Sequence, residues 1–248
     1  MTGQPYLFSS PLKEGIIVKR PNRFMMDVSL DGEVVQCHRP ATGRIGDIDM
    51  RGIACLASRH GDPNRKLKYT VEAVSCDELN CPDKNWIGIN QVFSNKLVAY
   101  FLQTHQLDEM ISDYDDIRRE VNLGISKLDF LVGNTYIEVK TGLTTLNVTY
   151  GSHIVTKPVK PFSSTERFTK HITELTGSLQ QHERAILLTV TQYVETKPKP
   201  RQRSTHYEEV SRTMRTAKER GLETWHLSLR FTPECVAVHR CKNTTDAE

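Results

Sequence analysis

The chain has 248 residues, 38% of them hydrophobic and 25% charged, with a formal net charge of +3. That is enough for one large or two small folded units with real cores, and the balance is that of a globular protein, which excludes disordered and fibrous classes. No apolar run approaches the roughly 18 residues of a membrane span. Met1 to Leu12 lack the charged start and apolar stretch of a secretion signal, so a cytoplasmic protein with no membrane partner is expected.

The first third reads as β. Gly15–Val18, Met25–Leu30, Glu33–Val35, Gly52–Leu56 and Tyr69–Val74 are short strand-like runs, and Asp31-Gly32 is a hairpin signal between two of them. Five short strands with tight turns suggest a small barrel. Asp77 to Lys84 is polar and reads as a linker. From Asn90 to Thr104 the apolar residues recur at helical spacing. Three strands follow, Ile117–Asn122, Lys127–Val132 and Thr135–Lys140. A helix is expected over Ser164–Ser178, with Ser163 and Glu166 as a capping box. Ala185–Val194 is a continuous apolar strand, Tyr207–Arg220 a helix closed by Gly221, and Trp225–Phe231 a last alternating strand. The order predicts a barrel over residues 1–85 and an α/β domain with a helix-flanked sheet over 86–248.

Positive charge is clustered at Lys197, Lys199, Arg201 and Arg203, and again at Arg59, Arg65, Lys66 and Lys68. Such clusters can hold phosphates, although a solvated loop has the same composition. The six cysteines are expected to be reduced. Cys76, Cys81, Cys235 and Cys241, with His239, do not fall at the spacing of a familiar zinc knuckle.

The chemistry concentrates on one hairpin. Gly133-Asn134 is a two-residue turn, which sets Val132 opposite Thr135, Leu131 opposite Tyr136, Phe130 opposite Ile137 and Asp129 opposite Glu138. Alternation then puts Leu128, Phe130, Val132, Ile137 and Val139 on a core face, and Asp129, Glu138 and Lys140 together on the other. Opposed carboxylates about 5 Å apart repel unless a cation lies between them. Mg²⁺ or Mn²⁺, held by such a pair and by substrate phosphate, is the expected cofactor. Lys140 can stabilise developing charge or orient water. A surface hairpin whose lysines offset its carboxylates fits the same pattern. Glu120 is a candidate third carboxylate. His171 can steer a proton or contact a phosphate.

Asp129, eight residues, then Glu138-Val139-Lys140 resembles the active-site pattern of PD-(D/E)xK nucleases. The surroundings are more specific. Gly15–Phe24, His38–Arg44, Asn64–Thr70, Ile125–Phe130, Tyr136–Lys140 and Thr165–His171 resemble, in one order, the sugar fermentation stimulation protein A family over roughly residues 12 to 235. The resemblance implies an N-terminal OB-like barrel, a nuclease-like α/β domain and nucleic acid, DNA foremost, as partner. By position, Asp129, Glu138 and Lys140 match the nuclease motif, with Asp129 and Glu138 as metal ligands and Glu120 a further acidic member. Glu166, Arg167, Lys170 and His171 match the following helix motif. Arg20, Arg23, Arg44, Arg65 and Lys66 fall in barrel segments where basic residues can track a phosphate backbone, and Phe24 and Tyr69 are candidates to stack on bases. Ser163-Ser164 stands where the family pattern carries Pro-Asp. Two functions compete: a metal-dependent nuclease, and a non-catalytic DNA-binding regulator of sugar-utilisation genes that keeps the nuclease fold. The sequence leaves the oligomeric state open, a homodimer included.

Overall fold

The structure, a computed structural model, describes residues 3–40, 43–62, 64–123, 126–161, 165–180, 182, 184–200 and 203–246. In chain order the strands are β1 (Tyr6–Leu7), β2 (Lys13–Asn22), β3 (Met25–Leu30), β4 (Glu33–His38), β5 (Ala54–Arg59), β6 (Tyr69–Ser75) and β7 (Trp86–Gly88). Helix α1 (Gln91–Gln103) follows, then β8 (Ile117–Leu123), β9 (Ser126–Val132), β10 (Thr135–Thr141), α2 (Glu166–Gly177), β11 (Arg184–Thr191), α3 (Tyr207–Glu219), β12 (Glu223–Phe231) and β13 (Cys235–Asn243).

The predicted barrel is present and closed. β2 pairs β3, β3 pairs β4, β4 pairs β6, β6 pairs β5, and β5 returns to β2. β3 alternates strictly between half-buried and buried positions, and its inward Met26 and Val28 lose all contact with solvent. Asp31 and Gly32 both take positive φ, 50° and 85°, as a two-residue hairpin that follows strand twist requires.

The second sheet runs β12-β11-β10-β9-β8, with β10, β11 and β12 parallel and the others antiparallel. Alternate residues of β11 face opposite ways. Ile186, Leu188 and Val190 pack with Leu97, Val98 and Phe101 of α1, while Ala185 and Leu187 pack with Ile172 and Leu175 of α2 and Ala217 of α3. The sheet is therefore covered by α1 on one face and by α2 and α3 on the other, which is why β11 reads as one apolar run.

Three short or polar strands escape the sequence pattern: β1, β7 and β13. β7 matters most. It pairs with β6 of the barrel and, at Trp86–Phe231, with β12, so one continuous sheet runs through both halves. The apolar clusters likewise draw on residues from both sides of residue 85. Leu143, Leu146, Val148 and Tyr193 are buried with barrel residues such as Ile45, Ile53 and Val74. The segment leaving β10 crosses to the barrel and bonds to it: Gly46 N–H donates to the Leu143 carbonyl (2.6 Å), Asp49 N–H to that of Val155 (2.8 Å), and Lys157 N–H to that of Asp47 (2.6 Å). Asp49 then binds Arg51 at 2.6 Å and Lys157 at 2.8 Å.

Among the described residues all six cysteines are free thiols, and no three His, Cys, Asp or Glu residues stand grouped to hold a metal ion. Among the described residues no helix is long and apolar enough to cross a membrane.

Candidate functional site

The hairpin forms as its turn dictates. Gly133 adopts φ 53°, a left-handed conformation that favours glycine, and a Cβ there would lie 2.5 Å from the Asp113 carboxylate, which would have to move. Val132, Leu131 and Phe130 pair with Thr135, Tyr136 and Ile137 as expected. The ladder then stops. At the fourth position Asp129 and Glu138 do not pair through the backbone. Instead the Val139 N–H donates to the Asp129 carboxylate at 2.8 Å. A side chain has entered the gap where β9 and β10 part.

This parting changes the predicted arrangement of faces. Asn95 of α1 donates its side-chain N–H to Asp129 Oδ1 at 2.6 Å, whereas His171 of α2 reaches Glu138 Oε1 at 2.5 Å. α1 and α2 lie on opposite faces of the sheet. The two carboxylates thus straddle its split edge rather than sharing one face. Leu128, expected beside Phe130, packs with the α2 cluster for the same reason.

Glu138 is 2% exposed. Its Oε1 accepts from Lys140 Nζ at 2.5 Å and from His171, and its Oε2 has no hydrogen-bond partner. A buried carboxylate oxygen without a donor is unfavourable unless some other positive group meets it. Burial first, and the charge of Glu138 second, push the Asp129 carboxyl above its usual range, against the Val139 and Asn95 donors that hold it down. Asp129 therefore senses the charge of Glu138. Lys140 keeps 31% of its side chain in solvent, beside Glu138.

The other predicted residues divide. Glu120 is not brought to the pair. It adopts φ 54°, keeps 68% of its side chain exposed and binds Lys127 at 2.6 Å. His171 is 7% exposed, and Arg167 Nε approaches its Nε2 at 3.5 Å. An N–H aimed at Nε2 leaves the ring proton on Nδ1, where it donates to Glu138. His171 thus stands behind the carboxylate instead of facing a phosphate. Glu166, Arg167 and Lys170 lie exposed on α2. The capping residue expected at Ser163, and Ser164, fall outside the described residues; Thr165 holds the N-cap position and makes no side-chain cap bond.

On the barrel, Arg20, Arg23, Arg65 and Lys66 are exposed, and Arg44 bonds to the Lys160 carbonyl at 3.2 Å. Tyr69 packs against the barrel core, while Phe24 keeps 44% of its surface in solvent. Asn95 was not foreseen. Its signal in the sequence is faint, a polar Ser94-Asn95 step inside an apolar helix.

Comparison with known proteins agrees with this architecture. Residues 18–89 match the SfsA N-terminal OB domain, and residues 92–235 match the sugar fermentation stimulation protein RE domain. The chain belongs to the sugar fermentation stimulation protein family. A homolog from Pseudoalteromonas atlantica is 37% identical over 194 residues, 75% of this chain and 77% of its own. One from Synechococcus sp. strain JA-2-3B'a(2-13) is 35% identical over 189 residues, 74% and 73% of the two chains. Among solved structures, Pyrococcus furiosus SfsA in complex with Ca²⁺ superposes with a TM-score of 0.72, covering 97% of both chains at 19% identity. At that identity the likeness speaks for the fold.

Proposed function

We propose that this member of the family is a divalent-metal-dependent nuclease that hydrolyses phosphodiester bonds of DNA or RNA at the split between β9 and β10. The observation that carries the reading is Glu138, buried at 2% exposure with Oε2 unpartnered and close enough to Asp129 to raise its pKa. Two carboxylates fit a hard cation such as Mg²⁺ or Mn²⁺, which takes one or two protein carboxylates and completes its shell with substrate phosphate and water. The structure of a family relative in complex with Ca²⁺ supports a divalent cation here.

A cation so held supplies Lewis-acid stabilisation of the phosphoryl oxygens and a more acidic water. The chain's own groups do the rest. His171 and Asn95 hold the two carboxylates in place. Lys140, partly exposed, stands where it can meet the negative charge that grows on the phosphate during attack.

A specific observation favours a second reading. Lys140 and His171 both converge on Glu138 Oε1, so the buried charge is partly answered without a metal. On that reading the protein is a non-catalytic DNA-binding regulator. Incubating a labelled oligonucleotide with Mn²⁺, with chelator, and with Lys140→Ala separates the two. Metal-dependent cleavage lost in Lys140→Ala is expected. Salt-sensitive binding with no cleavage under any metal would sink the nuclease reading.

A further inference from the structure

The row of residues that begins at Lys140 does not end there. Register carries it across the sheet: Lys140 pairs with Thr189 of β11, Thr189 with His226 of β12, and His226 with Lys242 of β13. Directly paired residues point to one face. Here it is the face toward α2, because Glu138 and its partner Leu187, two residues back along β10 and β11, meet His171 and the α2 cluster there. β13 agrees. Cys241 packs with Leu227 on the opposite face, so Arg240 and Lys242, one residue to either side of it, stand on the α2 side.

This row is polar and open where the one before it is apolar and covered. Leu187 is packed with Ile172 and Leu175 of α2 and Ala217 of α3. Thr189, by contrast, is half-buried, and Arg240 and Lys242 are exposed. His226 is held in place. Its Nε2 meets the Thr191 hydroxyl at 3.0 Å, and its Nδ1 lies 3.7 Å from the Glu195 carboxylate, to which Asn147 donates at 2.6 Å. Among the described residues neither Arg240 nor Lys242 forms a salt bridge. On the other side of Glu138 the same face is closed, since Leu128 and Leu131 of β9 are buried in the α2 cluster. A strand whose phosphate meets Glu138 and Lys140 therefore leaves over β11, β12 and β13.

We propose that this row is the path of the substrate strand beyond Lys140, with backbone phosphates bound by Lys242 and Arg240 at its far end. Neighbouring strands lie about 4.8 Å apart, so three spacings put Lys242 about 14 Å from Lys140. At about 3.4 Å per nucleotide of a helical strand, that is about four nucleotides. Contacts to the backbone position a strand without reading its bases, so the far end of the path adds affinity and no sequence preference. The path rests on the reading of the chain as a nuclease and adds to it where the strand lies.

Fluorescence anisotropy of the full chain with a labelled 12-nucleotide single-stranded DNA tests the path through its salt dependence. Chelator is present, so a metal-dependent enzyme cuts nothing. Each neutralised phosphate contributes about −0.7 to the slope of log affinity against log salt. Lys242→Gln should flatten the slope by about 0.7, and Lys242→Gln with Arg240→Gln by about 1.4. At about 0.1 M salt these are about 5-fold and 25-fold weaker binding. Lys96→Gln, over the Tyr6 ring on the α1 side of the sheet, should leave the slope unchanged. A slope unaltered in the double variant, or flattened as much by Lys96→Gln, overturns the proposal. Cleavage with Mn²⁺ keeps the two readings apart. Wild-type cleavage in a double variant whose slope is unaltered defeats the path alone. A slope flattened by the double variant, in a protein that cleaves nothing, upholds the path for a bound strand and defeats the nuclease reading.

Discussion

Each half of the molecule buries a charge, and the two are handled differently. Glu138, in the sheet, is met by Lys140 and His171 on one oxygen and by no hydrogen-bond partner on the other. Arg39, in the barrel, is met only by carbonyls and lies near a further cation, Arg20. The first arrangement leaves a ligand position open at a point. The second leaves a positive field open over a surface. Under the proposed function, chemistry on a phosphate would use the former and attraction of a polyanion the latter.

The largest effect should come from breaking the sheet side of this contrast. Glu138→Gln keeps the shape and removes the charge. Several kcal/mol of metal-derived stabilisation goes with it, so cleavage of a labelled oligonucleotide with Mn²⁺ should fall about 1000-fold. Residual activity within tenfold of wild type would place the chemistry elsewhere. Next come the residues behind the carboxylates. His171→Ala and Asn95→Ala should each weaken Mn²⁺ binding, read by calorimetry, about 10- to 100-fold, with partial rescue by His171→Gln. A purely structural role would lower the melting temperature and leave metal affinity intact.

The barrel side predicts a smaller change of another kind. Arg39→Met fills the site with a side chain of comparable length and removes the charge. Relief of the buried charge offsets the lost carbonyl bonds, so stability should move by no more than about 1.5 kcal/mol. Nucleic-acid affinity should nevertheless drop about tenfold, measured by anisotropy at fixed salt. Loss of stability without loss of binding would reduce Arg39 to a structural brace.

The smallest effect concerns the join between the halves. Hydrogen bonds from Arg51, then from Lys157, hold the Asp49 carboxyl well below the usual carboxylate range. An acid depressed in the folded state stabilises in full above its unfolded pKa, about 4, and loses that contribution as pH falls toward the folded value. Both cations are largely exposed, which limits the effect to under about 1 kcal/mol. The melting temperature of Asp49→Asn should lie slightly below wild type at pH 7 and converge with it below pH 4. A gap that persists at low pH would mean the ion pairs are not its source.

Much of this was legible in the sequence, and the reasons are local. Gly133-Asn134 sets the register of β9 and β10 by turn length alone, and three of the four pairs it implies form, Asp129 opposite Glu138 being the exception. The barrel strands declare themselves by alternation and by Asp31-Gly32. What could not be read depends on distant partners. The strands part at Asp129 where a donor from α1, 34 residues away, takes up its carboxylate. Glu120 looks acidic and close in sequence, yet its left-handed backbone and Lys127 turn it aside. β13 mixes Val236 and Val238 with His239, Arg240 and Lys242, as a strand on the outer side of β12 can, and so shows weak periodicity. Arg39 reads as one more surface cation until the fold encloses it.

The crossing segment has a consequence for the order of assembly. The barrel strands end at Ser75, but Leu143, Leu146, Val148 and Tyr193 complete the barrel's apolar interior. A ribosome that has released only the first 90 residues has made every strand of the closed barrel but not the residues that share its apolar cluster. That cluster must wait, partly uncovered, for about a hundred further residues, which at typical elongation rates is on the order of ten seconds.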